Sequence, residues 1–339
     1  MARKPKFDIL KAVEALEPNM RKAFLASIED VRSAAQLSVI VKALEDGRTD
    51  DVIRALHLSP EFFAPLDDAI RAAYLEGGRQ SLAALPALAG SGAARLEVRF
   101  GMIGNARAEG WVRNHSSTLI REIVSDQVAS VRGFVEGAVR NGVGPRTTAL
   151  DIVGRINRAT RKREGGILGL TQHQTSFVTN ARSQLQSGDP GAMAQYLTRT
   201  RRDKRFDSVV KRAIAEGRPV AAKDVENITR NYQNRLLKLR GDTIARTESL
   251  GAFNAGQQEG LQQLVDRGAV QPNQVRRTWR TASDSRVRDS HQNINGASVG
   301  LNERFANGLL FPLEAGAPAQ EVINCRCVAE TRIDFLGNL

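Results

Sequence analysis

The stretch that decides the fold is residues 222–264, AKDVENITRNYQNRLLKLRGDTIARTESLGAFNAGQQEGLQQL. Apolar side chains recur in it at the spacing that places them along one side of an α-helix. They are Val225, Ile228, Tyr232, Leu236, Leu239, Ile244 and Leu250. We therefore predict one long helix, with Gly241 or Gly251 as the position at which it could break, because glycine weakens a helix interior.

Two apolar stripes at helical spacing lie in the first ninety residues. Residues 20–31 carry the first stripe and residues 66–74 carry the second. Helices this short bury little area alone, so we expect at least one stripe to pack on another protein. The alternative is an ordinary helical hairpin core.

Capping signals mark two further helices in the middle of the chain. A serine, Ser116 or Ser117, can cap a helix over residues 119–139, and Gly142 can end it. Thr171–Gln174 matches a capping box at the start of the other helix. The chain is thus expected to be helical through most of its length.

The pattern changes after Gly268. Residues 275–281 and 326–333 are rich in β-prone side chains, and Gly, Pro, Asn and Asp punctuate the residues between them. Isolated strands are not stable, so we expect the two to pair in antiparallel fashion. The predicted fold class is mainly α with a small C-terminal α+β module, a helical body followed by a short antiparallel sheet.

Four consecutive regions are expected along the chain. They are an N-terminal helical region (1–90), a helical linker or arm (91–165), a second helical region (166–264) and the C-terminal α+β module (265–339). A stretch over residues 85–92 that contains Gly, Ser and Pro sets the first boundary.

The composition argues against a membrane or secreted protein. Of the 339 residues 41% are hydrophobic and only 5% aromatic, which favours helices over a sandwich or barrel. No run approaches the ~18 apolar residues of a membrane span, and no apolar signal segment follows the first residues. The two cysteines lie one residue apart and cannot join distant segments, so we expect a reducing compartment.

The charge points to a polyanionic partner. Lys and Arg number 49 against 37 acidic residues, which gives a net charge of +12. Such a surplus attracts nucleic acid through counterion release, and arginine suits phosphate better than lysine does. A solvated basic surface without a partner is the alternative. The candidate DNA contacts form two clusters, Arg155, Arg158, Arg161, Lys162 and Arg163, then Arg199, Arg201, Arg202, Lys204 and Arg205.

The C-terminal module holds the densest set of chemically active side chains. Residues 284–291 read DSRVRDSH, and residues 323–327 read INCRC. Antiparallel pairing of the two predicted strands would bring these two stretches together. The candidate structural motif comprises Trp279, Asp284, Arg286, Arg288, His291, Asn324, Cys325 and Cys327.

Two interpretations of Cys325, Cys327 and His291 stay open from the sequence. In an extended segment, residues i and i+2 share a face about 6.5 Å apart, too far for an unstrained disulfide but suitable for one metal ion if the strand bends. The three side chains are therefore either zinc ligands or packed thiols beside a hydrogen-bonding imidazole, with no cofactor.

These motifs together resemble the phage Mu F-like minor head protein family, which acts in phage head morphogenesis. The resemblance rests on residues 243–248, TIARTE, on the motif residues between Trp279 and His291, and on the closing Asn324–Cys327 run. Residues 202–207 also resemble the helical lead-in of that family. The similar part covers roughly residues 165–333, which makes the second helical region and the C-terminal module the Mu F-like domain.

The resemblance implies a virion component of a tailed phage or prophage. Proteins of that family associate with the portal protein and are made beside scaffold and capsid proteins. They enter the head in few copies and bind or follow the double-stranded DNA up to its ejection. Because the two basic clusters come without a recognisable base-reading motif, we expect DNA binding to be independent of base sequence. On this basis we expect a non-enzymatic protein inside the capsid near the portal vertex, present in the host cytoplasm during assembly and without a membrane partner.

The alternative is an enzyme that acts on nucleic acid, or a delivered effector. His291 would then serve as general base, and Arg286 or Arg288 would stabilise phosphate charge. The sequence shows no paired carboxylate metal site, P-loop or nucleophile elbow, which favours the structural role.

Overall fold

The structure is a computed structural model that describes residues 9–83 and 100–334. The linker predicted over residues 85–92 lies outside the described residues. The α-helices are α1 (Ile9–Ala34), α2 (Leu37–Glu45), α3 (Thr49–Ala55), α4 (Ala64–Ala83), α5 (Ala106–Arg140), α6 (Pro145–Val153), α7 (Gln172–Gln186), α8 (Pro190–Thr198), α9 (Asp207–Ala215), α10 (Ala222–Asp266), α11 (Asp289–Gln292) and α12 (Ala319–Val322). The strands are β1 (Arg155–Ile156), β2 (Arg163–Glu164), β3 (Val275–Arg280), β4 (Ser298–Gly300) and β5 (Val328–Ile333).

The predicted fold class is confirmed. Helices form the body, and three antiparallel strands in the order β4-β3-β5 form a small sheet in the C-terminal module. The predicted pairing of β3 with β5 is also confirmed, with Trp279 opposite Ala329. The sequence did not reveal β4, because three residues are too short for an alternating pattern to show.

Helix α10 runs for 45 residues without a break, about 67 Å at 1.5 Å per residue. The prediction of a break at Gly241 or Gly251 is wrong. Nearly every residue from 248 to 264 is buried, so neighbouring segments pack around this part of the helix and its small residues let them approach. A Cβ at Gly251 would lie 3.3 Å from the carbonyl oxygen of Leu313.

The chain divides into two compact units, each assembled from stretches distant in sequence. The first unit consists of Met1–Ala23, Pro65–Thr118 and Asp242–Leu339, and the second of Phe24–Ala64 and Leu119–Gly241. The first unit holds the sheet and the DSRVRDSH and INCRC stretches, whereas the second holds both basic clusters. The four consecutive regions expected from composition stay a prediction.

Both apolar stripes of the first ninety residues are buried within the chain. Phe24, Ile28 and Leu66 are at most 2% exposed. The prediction that a stripe packs on another protein is therefore wrong. The helices are longer than the stripes suggested, 26 residues in α1 and 20 in α4, and the chain itself covers them.

The two capping predictions have different outcomes. Thr171 forms the predicted capping box of α7, with Gln174 as its partner. Helix α5 instead begins ten residues before Ser116, where the side chain of Asn105 accepts a hydrogen bond of 3.1 Å from the backbone N–H of Ala108. Ser116 lies inside the helix and donates to the Asp67 carboxylate.

Candidate functional site

The TIARTE stretch of α10 holds three different segments of the first unit. Arg246 pairs with a carboxylate of α1 at 3.7 Å. The Thr247 hydroxyl accepts a hydrogen bond of 3.2 Å from the backbone N–H of Asn324. Glu248 lies 2.6 Å from Nε2 of His115 on α5. One turn of the long helix therefore fixes the position of the INCRC stretch relative to the N-terminal helix and α5.

The turn after β3 is tied to the start of β5 by a two-pronged ion pair. The two terminal guanidinium nitrogens of Arg326 donate to the carboxylate of Asp284, at 2.6 and 2.7 Å. Asp284 also accepts from the backbone N–H of Arg286 at 3.0 Å. These hydrogen bonds, that of Arg326 first, hold the pKa of Asp284 well below its usual range. Arg288 completes the link by donating to the carbonyl oxygen of Ile323 at 2.6 Å.

Beneath this ion pair, one imidazole and two thiols form a buried cluster. His291, Cys325 and Cys327 are between 1% and 3% exposed. Nδ1 of His291 lies 3.5 Å from Sγ of Cys325 and 3.4 Å from Sγ of Cys327. Its other ring nitrogen, Nε2, lies 2.8 Å from the carboxylate of Glu321. Trp279 packs edge-on against the imidazole, with ring centroids 5.1 Å apart.

The thiol of Cys325 is more acidic than an isolated thiol. The hydrogen bond from the Cys327 thiol outweighs burial and, with help from His291, holds the pKa of Cys325 below its ordinary value. The same hydrogen bond and burial raise the pKa of Cys327. Burial alone would lower the pKa of His291, but its hydrogen bonds to Cys325 and Glu321 raise it. The cluster thus favours negative charge on sulfur beside the imidazole.

The structure brings together both halves of the motif predicted from sequence. His291 contacts both cysteines, and Asn324 has a positive φ of 58° that turns the chain into them. Arg286 lies at the exposed edge, 3.2 Å from Asp284. This arrangement could bind a soft divalent metal through one nitrogen and two sulfurs, or hold a proton between imidazole and thiol.

Two functional residues were missed in the sequence, Glu321 and Arg277. Nothing in the sequence marks Glu321, which lies on a four-residue helix. Arg277 is 1% exposed and donates to the carbonyl oxygens of Gly300, Glu303 and Leu310. A signal for Arg277 existed, because strand alternation places it on the same face as Trp279.

The predicted DNA contacts divide into two classes in the second unit. Arg155, Arg202 and Arg205 pair with carboxylates at 2.7–2.9 Å. Arg163 donates to a backbone carbonyl and Arg199 to a glutamine side chain. The remaining side chains are exposed to solvent, namely Arg158, Arg161, Lys162, Arg201 and Lys204.

Three of the exposed cations lie on the turn between β1 and β2. The side chain of Asn157 accepts a hydrogen bond of 2.9 Å from the backbone N–H of Ala159. The backbone N–H of Asn157 in turn donates to the carbonyl oxygen of Lys162 at 2.8 Å. These bonds order the turn, which we call the basic hairpin (residues 155–164), and present its tip to solvent.

Both basic clusters border the same part of α10. The hairpin end is fixed there because Asn234 accepts from the backbone N–H of Gly165 at 2.9 Å. On the other side, Arg235 donates to the carbonyl oxygen of Arg202 at 3.0 Å. Residues 234 and 235 are neighbours, so the two clusters flank one turn of the helix.

Comparison with known proteins finds one family model that matches part of the chain. Residues 204–330 match the family model described as Phage Mu protein F like protein. The match covers a little over a third of the chain and includes α9, α10 and the buried thiol–imidazole cluster. It confirms the predicted resemblance over that region. No curated protein and no solved structure shows significant similarity to the chain. Within the described residues, no helix is long and apolar enough to cross a bilayer.

Proposed function

We propose that this chain is a phage head morphogenesis protein, because its residues 204–330 match the Phage Mu protein F like family model. In this proposal it is a minor, non-enzymatic component of the virion that associates with the portal and contacts packaged DNA. The family match carries the assignment to the head. The exposed cations of the second unit support the contact with DNA.

The burial of the cluster supports a role without catalysis. A general base must reach the proton it removes, either directly or through one water. His291 is 1% exposed, and both of its ring nitrogens already face groups of the chain. Arg288, the phosphate ligand of the enzymatic alternative, donates to a backbone carbonyl instead. The motif residues therefore hold the module together.

The exposed cations support DNA contact that is independent of base sequence. Five exposed Lys and Arg side chains lie in the two segments whose residues Gly165 and Arg202 bond to Asn234 and Arg235 of α10. Lys and Arg contacts to phosphate carry no sequence information. The side chains predicted to bind DNA but paired with carboxylates contribute less, because their charge is already neutralised locally.

Removing the charge of the basic hairpin should weaken DNA binding and its salt dependence together. In the variant Arg158→Gln, Arg161→Gln, Lys162→Gln, up to three phosphate contacts are lost. We expect the slope of log affinity against log salt to become shallower by about 2–3, at about 0.9 per phosphate. Fluorescence anisotropy with two unrelated duplexes, titrated over a range of salt concentrations, measures the slope and should give equal affinities for both.

A matched control removes three positive charges elsewhere in the same unit. Lys42, Arg48 and Arg54 are exposed, but each pairs with a nearby aspartate. Their replacement by Gln should change the slope by less than about 1. Equal effects of the two triple variants would show that only net charge matters, and an unchanged hairpin variant would remove the hairpin from the DNA contact.

Association with the portal is tested on the full-length chain. We expect a tagged chain, co-expressed with the cognate portal protein, to co-purify with it through size exclusion. We also expect mass spectrometry to find the chain in purified heads at far fewer copies than the major capsid protein. Absence of the chain from intact heads would refute the virion role, whereas presence in heads without portal co-purification would refute only the portal contact.

A further inference from the structure

We propose that His291, Cys325 and Cys327 bind one zinc ion. This inference does not depend on the role in the phage head. It rests on the placement of three buried ligand atoms by α11 and by the segment that leads into β5. Among the described residues this is the one group of three or more His, Cys, Asp or Glu side chains that could hold a metal ion.

The distances fit a tetrahedral zinc centre. Zinc binds sulfur at about 2.3 Å and imidazole nitrogen at about 2.0–2.1 Å, so a tetrahedral angle separates the two ligand atoms by about 3.5 Å. Nδ1 of His291 lies 3.5 and 3.4 Å from the two sulfurs. All three ligand atoms lie within 4.8 Å of one another. Each nitrogen–sulfur pair therefore spans one edge of the required tetrahedron.

The surrounding groups are those that support a zinc–histidine bond. A zinc-bound imidazole usually donates its other N–H to a carboxylate, which fixes the ring and raises its basicity. Glu321 occupies that position, 2.8 Å from Nε2 of His291. The arrangement fixes Nδ1, the nitrogen that faces the sulfurs, as the metal-binding atom.

A backbone N–H supports negative charge on one of the sulfurs. The backbone N–H of Cys327 donates to Sγ of Cys325 at 3.4 Å. Because the thiolate is the form of cysteine that binds zinc, this hydrogen bond favours Cys325 as a ligand.

Three protein ligands leave a fourth position, which we assign to a water molecule. Two Cys, one His and one water form the ligand set of known catalytic zinc sites, whereas structural zinc sites are usually closed by four protein ligands. The near-complete burial of the ligands gives the ion a structural role, since it would join α11 to the start of β5. The Asp284–Arg326 ion pair joins the turn that precedes α11 to the segment that leads into β5 and reinforces that link.

The first measurement is the zinc content of the purified chain. The full-length chain, purified without chelator after growth with zinc, should contain about one zinc per chain by elemental analysis. After exchange into cobalt(II), the spectrum should show thiolate-to-cobalt charge transfer and the strong visible bands of a tetrahedral ion. X-ray absorption should show two sulfurs at about 2.3 Å and two lighter atoms at about 2.0–2.1 Å.

Variants then assign the ligands. Cys325→Ser and Cys327→Ser should each abolish stoichiometric zinc. Glu321→Gln should weaken zinc affinity about tenfold or more, measured by competition with a chelating dye, while stoichiometry at saturating zinc is kept. His115→Gln is the matched control, because His115 also pairs with a glutamate in the first unit but lies beside no thiol. It should keep full zinc content.

The proposal would be overturned by a folded wild-type chain that holds no zinc after incubation with excess metal. It would also be overturned by a cobalt spectrum without thiolate charge transfer. Both measurements use the wild-type chain, so they test the proposal even if the cysteine variants fail to fold. Binding that survives the loss of both cysteines would place the metal elsewhere.

Discussion

Gly256→Ala should destabilise the first unit strongly, although only one methyl group is added. Helices α4 and α10 approach each other so closely that a Cβ at Gly256 would overlap the carbonyl oxygen of Tyr74. That atom is backbone and cannot rotate away, so the helices must separate. Overpacking costs about 1–3 kcal/mol and occasionally more, and we expect at least the upper end of that range, seen as a lower midpoint in thermal and urea unfolding.

The same substitution at Gly110 is the control. Gly110 also lies inside a long helix, but a Cβ there would meet nothing within 4 Å. Alanine should therefore stabilise the chain by about 0.5–1 kcal/mol, the usual gain inside a helix. Opposite signs for the two substitutions support the close packing of α4 on α10. Stabilisation by both would show that the helices are farther apart than the structure places them.

The sequence predicted the elements of this fold better than it predicted their ends and partners. Periodicity located α10 because its apolar residues keep helical spacing, but it treated Gly251 as a weak point. In a helix surrounded by other segments, glycines let neighbouring backbones approach closely, and the packing compensates for their low helix propensity. The prediction that one of the two N-terminal stripes packs on another protein was wrong for a related reason. Spacing shows which face is apolar and does not show what covers it.

The part of the site that could be predicted is the part whose chemically active residues lie next to the paired strands. Pairing of β3 with β5 was enough to place His291 beside Cys325 and Cys327. Glu321 could not be found, because its role depends on the direction in which a four-residue helix presents one side chain. Arg277 was overlooked because an arginine in a strand is read as exposed, although the alternation of Val275, Arg277 and Trp279 places all three on one face.

The basic clusters show why charge counts from sequence overestimate a binding surface. Asp203 and Asp207 lie within the second cluster and pair with Arg205 and Arg202. Asp151 comes from α6 and pairs with Arg155 at 2.7 Å. The exposed cations are therefore fewer than the sequence suggested, and the hairpin tip is the part of the surface where they are closest together in the chain.

Arg277→Met should be the most destabilising single substitution in the C-terminal module. The guanidinium is 1% exposed, lies over the ring of Phe305 at 5.7 Å, and donates to three backbone carbonyls of the loop over residues 300–310. Burial lowers the pKa of Arg277 to about 10, so it stays charged at neutral pH. Methionine fills similar space but leaves the carbonyls without donors, at about 1–3 kcal/mol for each buried group.

We expect the free energy of unfolding to fall by about 3–5 kcal/mol, the range for removing a buried charged partner. Arg277→Lys distinguishes the contribution of the positive charge from that of the guanidinium hydrogen bonds. Lysine keeps the charge, but its single ammonium group cannot reach several carbonyls. It should recover less than half of the loss. Arg280→Met, three residues along the same strand, is the control. Arg280 pairs with Glu330 at the surface, and its loss should cost no more than about 1 kcal/mol. Equal effects at both positions would show that Arg277 does not hold the loop.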